Sequence, residues 1–338
     1  MDYAHAPAFV IEDIVRLQRC LDRSEIPPRR TDDNLLVGSW NIRDFGGFHP
    51  EWTENPGSPK RNLRGLVLIA EIIRRFDIIA LQEVKRTTTA LRFLMEHLLG
   101  PHWAVMLTDV SAGAKGNVER LAYLYDTRRV TPSGLSGQIV LPPLPEGDPV
   151  EQFDRTPYLV GFRAGSERFT LLTAHIRYGD TPEDRLPELE RFARYTAGEI
   201  RDRVRSGSSQ EEPNLIVLGD FNIDRRQGNP LFDAFVKTGL WVPEALREVR
   251  TTYGAQAKHY DQIAWFRDDF ELKPTGRAGK IDFAGRVFQE LTLFQMTYRV
   301  SDHFPLWIEF STDRTEEHMA HALGVDPNHP DPFRDVPD

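Results

Sequence analysis

Between residues 35 and 310 the chain alternates short apolar runs with longer segments whose apolar positions recur every three or four residues. The short runs at 35–40, 78–81, 104–107, 121–125, 158–162, 169–173, 215–218, 262–266 and 306–310 predict strands, several of them apolar enough to be buried on both faces. The longer segments at 62–76 (Leu66, Ile69, Ile73 and Phe76 on one face), 88–99 (Leu91, Leu94, Met95, Leu98), 183–204 and 231–237 predict amphipathic helices. Ahead of them, Val10, Ile14, Leu17 and Leu21 predict a helix over 8–24 that covers a patch of the domain behind it, and Pro27-Pro28-Arg29-Arg30 ends it. The expected organisation is an N-terminal helix and linker over 1–34, one domain over 35–310, and a flexible acidic tail over 311–338. Loops are expected at 142–147 and 206–212. Strands recurring between helices point to an α/β class in which two sheets pack together with helices outside.

The polar residues fall in a second pattern, at the ends of the apolar runs. Trp40-Asn41 closes the first run, Gln82-Glu83 the second, Ala174-His175 the sixth, and Gly219-Asp220-Phe221-Asn222 the seventh. Tyr260-Asp261 opens the eighth, and Ser301-Asp302-His303 precedes the last. Taken singly, an Asn or Asp at a strand end is a common turn or cap residue. Asp220 and Asn222 say more, because residues two apart on an extended backbone point the same way. If these ends converge, acids, amides and imidazoles line one rim of the sheets.

Composition narrows the partners. Forty-two Lys+Arg against 51 Asp+Glu give a net charge of −9, which argues against holding a polyanion by bulk charge alone. Residues 311–338 carry seven acids and two arginines, a net −5, so the remainder is only −4. One cysteine, Cys20, excludes an intrachain disulfide and a cysteine-rich zinc site, and suits a reducing compartment. With no basic-then-apolar start and no run of membrane-spanning length, the expectation is a cytoplasmic protein with no membrane association and no obligate protein partner.

In order, the series Trp40-Asn41-Ile42, Leu81-Gln82-Glu83-Val84, Val118-Glu119-Arg120, Arg155-Thr156-Pro157, His175, Gly219-Asp220-Phe221-Asn222, Tyr260-Asp261-Gln262-Ile263 and Ser301-Asp302-His303 resembles the endonuclease/exonuclease/phosphatase (deoxyribonuclease I-like) family over about residues 35–310. Its motifs sit nearest the deoxyribonuclease I branch. The resemblance implies a four-layered α/β/β/α sandwich, a site at the rim of two facing sheets, and dependence on Mg²⁺ or Mn²⁺. It implies Glu83, Asn41 and Asp302 as metal ligands, and it pairs His303 with Asp261 and His175 with Glu119. Phosphodiester hydrolysis needs an in-line nucleophile, neutralisation of the non-bridging oxygens and a proton for the leaving oxygen. Imidazoles suit the proton steps and hard oxygens suit the cation. His303–Asp261 is expected to activate water and His175–Glu119 to protonate the leaving group or stabilise the phosphate. Asp220 is the alternative base, with Asn222 holding a phosphate oxygen. Arg155, Arg43 and Arg86 are expected on the substrate phosphates, with Lys85 as a further cation beside them.

DNA is the expected substrate, by endonucleolytic attack of an activated water. The alternative within the same fold is a phosphatase or phospholipid phosphodiesterase acting on inositol phosphates or sphingomyelin-like lipids. Asn117 stands where that branch places a tyrosine used against the DNA sugar, and residues 267–300 are long enough to form a substrate-facing hairpin.

Overall fold

The computed structural model describes residues 5–53, 57–111, 118–143, 147, 149–201, 214–254, 258–327, 329 and 331–336. Asn117, the 206–212 loop and the centre of the 142–147 loop lie outside the described residues. The strands in chain order are β1 (Asn34–Phe45), β2 (Ile78–Lys85), β3 (Trp103–Leu107), β4 (Glu119–Asp126), β5 (Thr131–Gln138) and β6 (Tyr158–Ala164). They continue with β7 (Glu167–His175), β8 (Leu215–Asp220), β9 (Leu240–Trp241), β10 (Asp261–Phe266), β11 (Lys273–Lys280) and β12 (Leu306–Ser311). Two six-stranded sheets result, ordered β11-β12-β1-β2-β4-β3 and β5-β6-β7-β8-β10-β9. Each is antiparallel except for its central pair, β1–β2 in one and β7–β8 in the other.

Period-two alternation explains why the central strands read as continuous apolar runs. In the first sheet Leu35, Val37, Ile78, Ala80, Leu121 and Tyr123 face the second sheet. Their neighbours Leu36, Ile79, Leu81, Ala122 and Leu124 face a separate core shared with the helices. That outer core receives α1 (Ala8–Arg23), α2 (Leu63–Ile73) and α3 (Thr89–Phe93, continued as a π-turn segment Leu94–Leu99). On the other side α4 (Leu186–Tyr195) and the helix Pro230–Val236 cover the second sheet through Leu189, Phe192 and Phe235. The layers are therefore helix, sheet, sheet, helix. Buried Asp13 fastens α1, accepting from Arg64 Nε at 2.9 Å and from the Phe288 amide at 2.9 Å.

Two segments differ from expectation. The stretch read as a flexible tail carries a helix, Thr315–Leu323, closed by Gly324 in the left-handed conformation. A two-pronged ion pair from Arg314 to Glu167, at 2.7 and 2.9 Å, ties its start to β7, which charge composition alone could not reveal. Residues 267–300 form no single hairpin. β11 pairs along β12 as a sheet edge, and a short helix, Leu293–Thr297, leads back toward the site.

At the sandwich end opposite the site, Asp126 accepts from Arg29 at 3.0 Å and from Arg128 at 2.7 Å. Burial pushes its carboxyl up, but Arg128 and Arg29 outweigh burial and hold it at about 2. A pKa below the unfolded value of about 3.9 means stability that is complete above that value and lost as pH falls toward 2. Asp126→Asn is therefore expected to cost on the order of 1–2 kcal/mol near neutrality. The gap in urea midpoint between variant and parent should shrink between pH 5 and pH 2.5, and a gap independent of pH would refute the role given to this carboxylate.

Candidate active site

Strand register assembles the site. His175 ends β7 beside Asp220, the last residue of β8, and Asp220 in turn lies beside Asp261, the first residue of β10. In the facing sheet Asn41 pairs in register with Gln82, and Lys85 with Glu119. All the central parallel strands point their C-terminal ends at this rim, where side chains of the inner faces change from apolar to polar. Gln82 marks the change, its Nε2 donating across the sheets to Thr173 Oγ1 at 3.0 Å.

The local backbone departs from regular strand where it must. Glu83 has φ +63°, and β2 shifts register against β4 between Leu81 and Val84. This bulge reverses the inward and outward alternation, so Lys85 turns to the site and Arg86 turns out. Gly219 has φ +144°, and a Cβ there would stand 2.1 Å from the Ala174 carbonyl oxygen, so only glycine lets β8 approach β7 immediately before Asp220.

The rim encloses a cavity of about 600 Å³ lined by Asn41, Asp44, Glu83, Lys85, Glu119, Arg155, His175, Tyr178, Asp220, Asn222, Tyr260, Asp302 and His303. At its floor, Asp220 Oδ2 lies 3.7 Å from His175 Nε2 and 3.8 Å from His303 Nε2. Each imidazole has a carboxylate behind it. His303 Nδ1 is 2.7 Å from Asp261 Oδ2, and His175 Nδ1 is 3.0 Å from Glu119 Oε2. Asp220 itself accepts from Asn41 Nδ2 at 2.9 Å and from the Asn222 amide at 2.9 Å. Glu119 also takes Arg155 Nε at 2.6 Å and Lys85 Nζ at 3.1 Å. Arg155 Nη1 is buried with no hydrogen-bond partner among the described residues.

Charge follows from these contacts. Burial opposes ionisation of Glu119, but His175, Arg155 and Lys85 hold its carboxyl down at about 2. Asp220 is also held low: burial works against it, and His303, His175, Asn41 and the Asn222 amide prevail. Burial raises Asp261, with His303 opposing. Burial disfavours the His303 cation, yet Asp261, Asp220 and Asp302 push its pKa up to about 10.

Most residues singled out in the sequence meet here: Asn41, Glu83, Glu119, Arg155, His175, Asp220, Asn222, Asp302 and His303 line the cavity, and Asp261 is buried behind His303. Arg43 sits at the edge, paired with Asp302 at 2.6 Å and stacked over the Tyr298 ring at 4.3 Å, where a second cavity of about 560 Å³ begins. Of the two cations expected after Glu83, Lys85 lines the cavity, whereas Arg86 is exposed and outside the lining. Asn41 is held in place on both sides of its amide: its Oδ1 accepts the Arg43 amide at 3.0 Å, and its Nδ2 donates to Glu83 Oε1 at 2.9 Å. Sequence reasoning passed over Asp44, Tyr178 and Tyr260. Tyr260 directly precedes Asp261 and was the most accessible of these signals.

Behind the rim, Arg61 is buried and donates to carbonyl oxygens of Ile42 at 2.9 Å, Arg43 at 2.8 Å, Asp44 at 3.0 Å, Val300 at 2.9 Å and Arg299 at 3.3 Å. It joins the end of β1 to the segment that carries Asp302. Burial lowers its pKa to about 10, with Asp44 and Glu83 opposing.

The donor set fits a hard divalent cation. Glu83 spends one acceptor site of each oxygen on Asn41 Nδ2 and on the Asp44 amide, both at 2.9 Å, and retains free lone pairs at the cavity wall. Its oxygen lies within 4.8 Å of ligand atoms on Glu119 and His175, and Asp302 adds a further carboxylate to the lining.

Residues 38–303 match the model of the Endonuclease/Exonuclease/phosphatase family. The chain belongs to that family. Among characterised relatives of this endonuclease/exonuclease/phosphatase protein, a deoxyribonuclease of Thioalkalivibrio sp. (strain K90mix) is 27% identical over 289 residues, covering 82% of this chain and 71% of the relative. Deoxyribonuclease gamma of Rattus norvegicus is 28% identical over 305 residues, covering 83% and 86%. A solved structure of a functionally unknown conserved protein from Enterococcus faecalis V583 superposes with a TM-score of 0.54 at 16% identity, covering 82% of this chain and 99% of that one, which supports the fold alone. The family is one of hydrolases, and its four-layered sandwich is the fold described above.

Proposed function

We propose that this chain is a divalent-metal-dependent endonuclease that hydrolyses phosphodiester bonds in DNA. One observation carries the reading: Asp220 lies between the Nε2 atoms of His175 and His303, and a buried carboxylate backs each imidazole. An in-line displacement at phosphorus needs a proton acceptor near the entering oxygen and a donor near the leaving one, and this trio offers both within one cavity. Both relatives named above are deoxyribonucleases, which favours DNA over other phosphoesters.

Glu83 and Asp302 would hold Mg²⁺ or Mn²⁺, which when bound neutralises charge developing on the phosphate oxygens. The chain's own residues supply the rest. Asp220, ionised and fixed by Asn41 and the Asn222 amide, takes the proton of the attacking water. His303, ringed by Asp261, Asp220 and Asp302, acts as a donor toward the phosphate and the leaving oxygen. This assignment takes up the alternative named for Asp220 as the base and gives His303 the donor role first expected of His175. His175, steadied by Glu119, holds the opposite side of the phosphate. Arg155 has a buried N–H without an acceptor among the described residues, which suits a non-bridging oxygen. Lys85 and Arg43 extend positive charge along the rim. The single cysteine, Cys20, is buried and unpaired, as suits action in a reducing compartment such as the cytoplasm.

Purified protein is expected to nick supercoiled plasmid in Mg²⁺ or Mn²⁺, to lose more than 99% of that rate (roughly the hundredfold or greater term of lost electrostatic stabilisation) in EDTA, and to recover it when excess metal is restored. Rapid turnover of an inositol phosphate or of sphingomyelin without plasmid nicking would overturn the reading.

A further inference from the structure

Three residues beyond His175, Tyr178 lies at the cavity rim with 56% of its surface exposed. An exposed tyrosine on a connecting segment is ordinarily mobile. This one is held from beneath. The buried Arg185 guanidinium lies 4.4 Å from the ring centroid and donates through Nε to the Tyr178 carbonyl at 2.6 Å. Its Nη1 donates to the Asn222 carbonyl at 2.8 Å and to Asp224 Oδ2 at 2.9 Å, and Lys258 anchors the other Asp224 oxygen at 2.8 Å. Tyr260 meets the Tyr178 ring edge-on, with centroids 6.2 Å apart at 82°, and its own ring lies 6.0 Å from the His303 ring. A fixed aromatic surface therefore stands one side chain away from the imidazole proposed to bind phosphate.

We infer that Tyr178 is a stacking platform for the nucleobase next to the scissile phosphate. Three features of the rim support this. The ring is fixed before the ligand arrives, so little freedom is lost when a base covers it. One side is already occupied by Arg185 and Tyr260, which leaves the exposed part to the ligand. Every nucleobase has a π-face, so such a platform strengthens binding without selecting a sequence. Inositol phosphates and phosphocholine lipids have no planar group to place there. The inference rests on the nuclease reading and deepens it, since it ties the site to polynucleotides.

Binding and turnover test it together. An oligonucleotide carrying 2-aminopurine is titrated into His303→Ala protein with Tyr178, with Tyr178→Ala or with Tyr178→Phe. In the His303-intact protein, kcat/KM is measured for the 3′- and 5′-p-nitrophenyl phosphates of thymidine and for methyl p-nitrophenyl phosphate. Tyr178→Ala is expected to weaken oligonucleotide binding and to lower kcat/KM for at least one thymidine ester by roughly tenfold or more, mainly through KM. It should leave the methyl ester within about twofold, and Tyr178→Phe should behave as the parent throughout. Unchanged binding and turnover in Tyr178→Ala, or an equal loss on all three esters, would overturn the stacking role while leaving the nuclease reading intact. Failure of the Tyr178-bearing protein to bind the oligonucleotide or cleave plasmid would overturn both.

Discussion

Replacing His303 or His175 by alanine is expected to lower plasmid nicking by about a thousandfold, within the range for loss of a positioned proton-transfer group. The two imidazoles face one carboxylate oxygen, at 3.8 and 3.7 Å. They act on one phosphate, so their losses should not multiply. The double variant is expected to be about as slow as the slower single one, as for groups that work as a unit. Circular dichroism at the assay temperature must show folded protein, because His303→Ala leaves Asp261 buried without its imidazole. A folded single variant that retained more than about a tenth of the parent rate would remove that histidine from the chemistry.

The largest structural effect is expected at Gly219. Alanine there would combine a backbone conformation at φ +144° with a methyl group 2.1 Å from the Ala174 carbonyl oxygen and 2.9 Å from its amide nitrogen. The obstacle is backbone on both counts, so no side-chain rotation relieves it. Ala174 and Gly219 are paired in the parallel ladder immediately before His175 and Asp220, and separating them would pull those two side chains apart. Gly219→Ala is expected to cost about 4 kcal/mol or more, read as a fall in urea midpoint, together with loss of nicking. Gly100 provides the comparison, since it has φ +89° but nothing within 4 Å of an added Cβ. Gly100→Ala should cost only about 1–2 kcal/mol and leave activity unchanged. Equal losses at the two positions would show that backbone conformation, and not the close strand approach, dominates at Gly219.

The central strands were legible because both their faces are buried, which leaves uninterrupted apolar runs such as Ile78-Ile79-Ala80-Leu81. Their polar endings were legible for the same reason, since Asn41, His175 and Asp220 interrupt buried text where it reaches the rim. The strands β5, β9 and β11 were not read, and all three lie at or next to sheet edges. β5 and β11 carry Pro and Gly and expose much of their length, so they lack the apolar signal on which a strand prediction depends. Arg86 was expected at the site together with Lys85 because both follow Glu83 closely in sequence. The bulge at Glu83 resets the alternation, so only Lys85 of the two faces the cavity. Tyr178 was missed because its position depends on Arg185, which lies in the short 3₁₀ segment Pro182–Arg185 before α4 and reaches back to it.

Arg61 gives the rim a property that no surface cation could. With its N–H groups shared among main-chain oxygens of β1 and of the stretch before Ser301, it works as a rivet between chain segments more than two hundred residues apart in sequence. Hiding that charge is unfavourable, but the penalty is met once, during folding. A ligand entering the cleft then finds Arg43 and Asp302 already set and need spend none of its own binding energy on bringing them together.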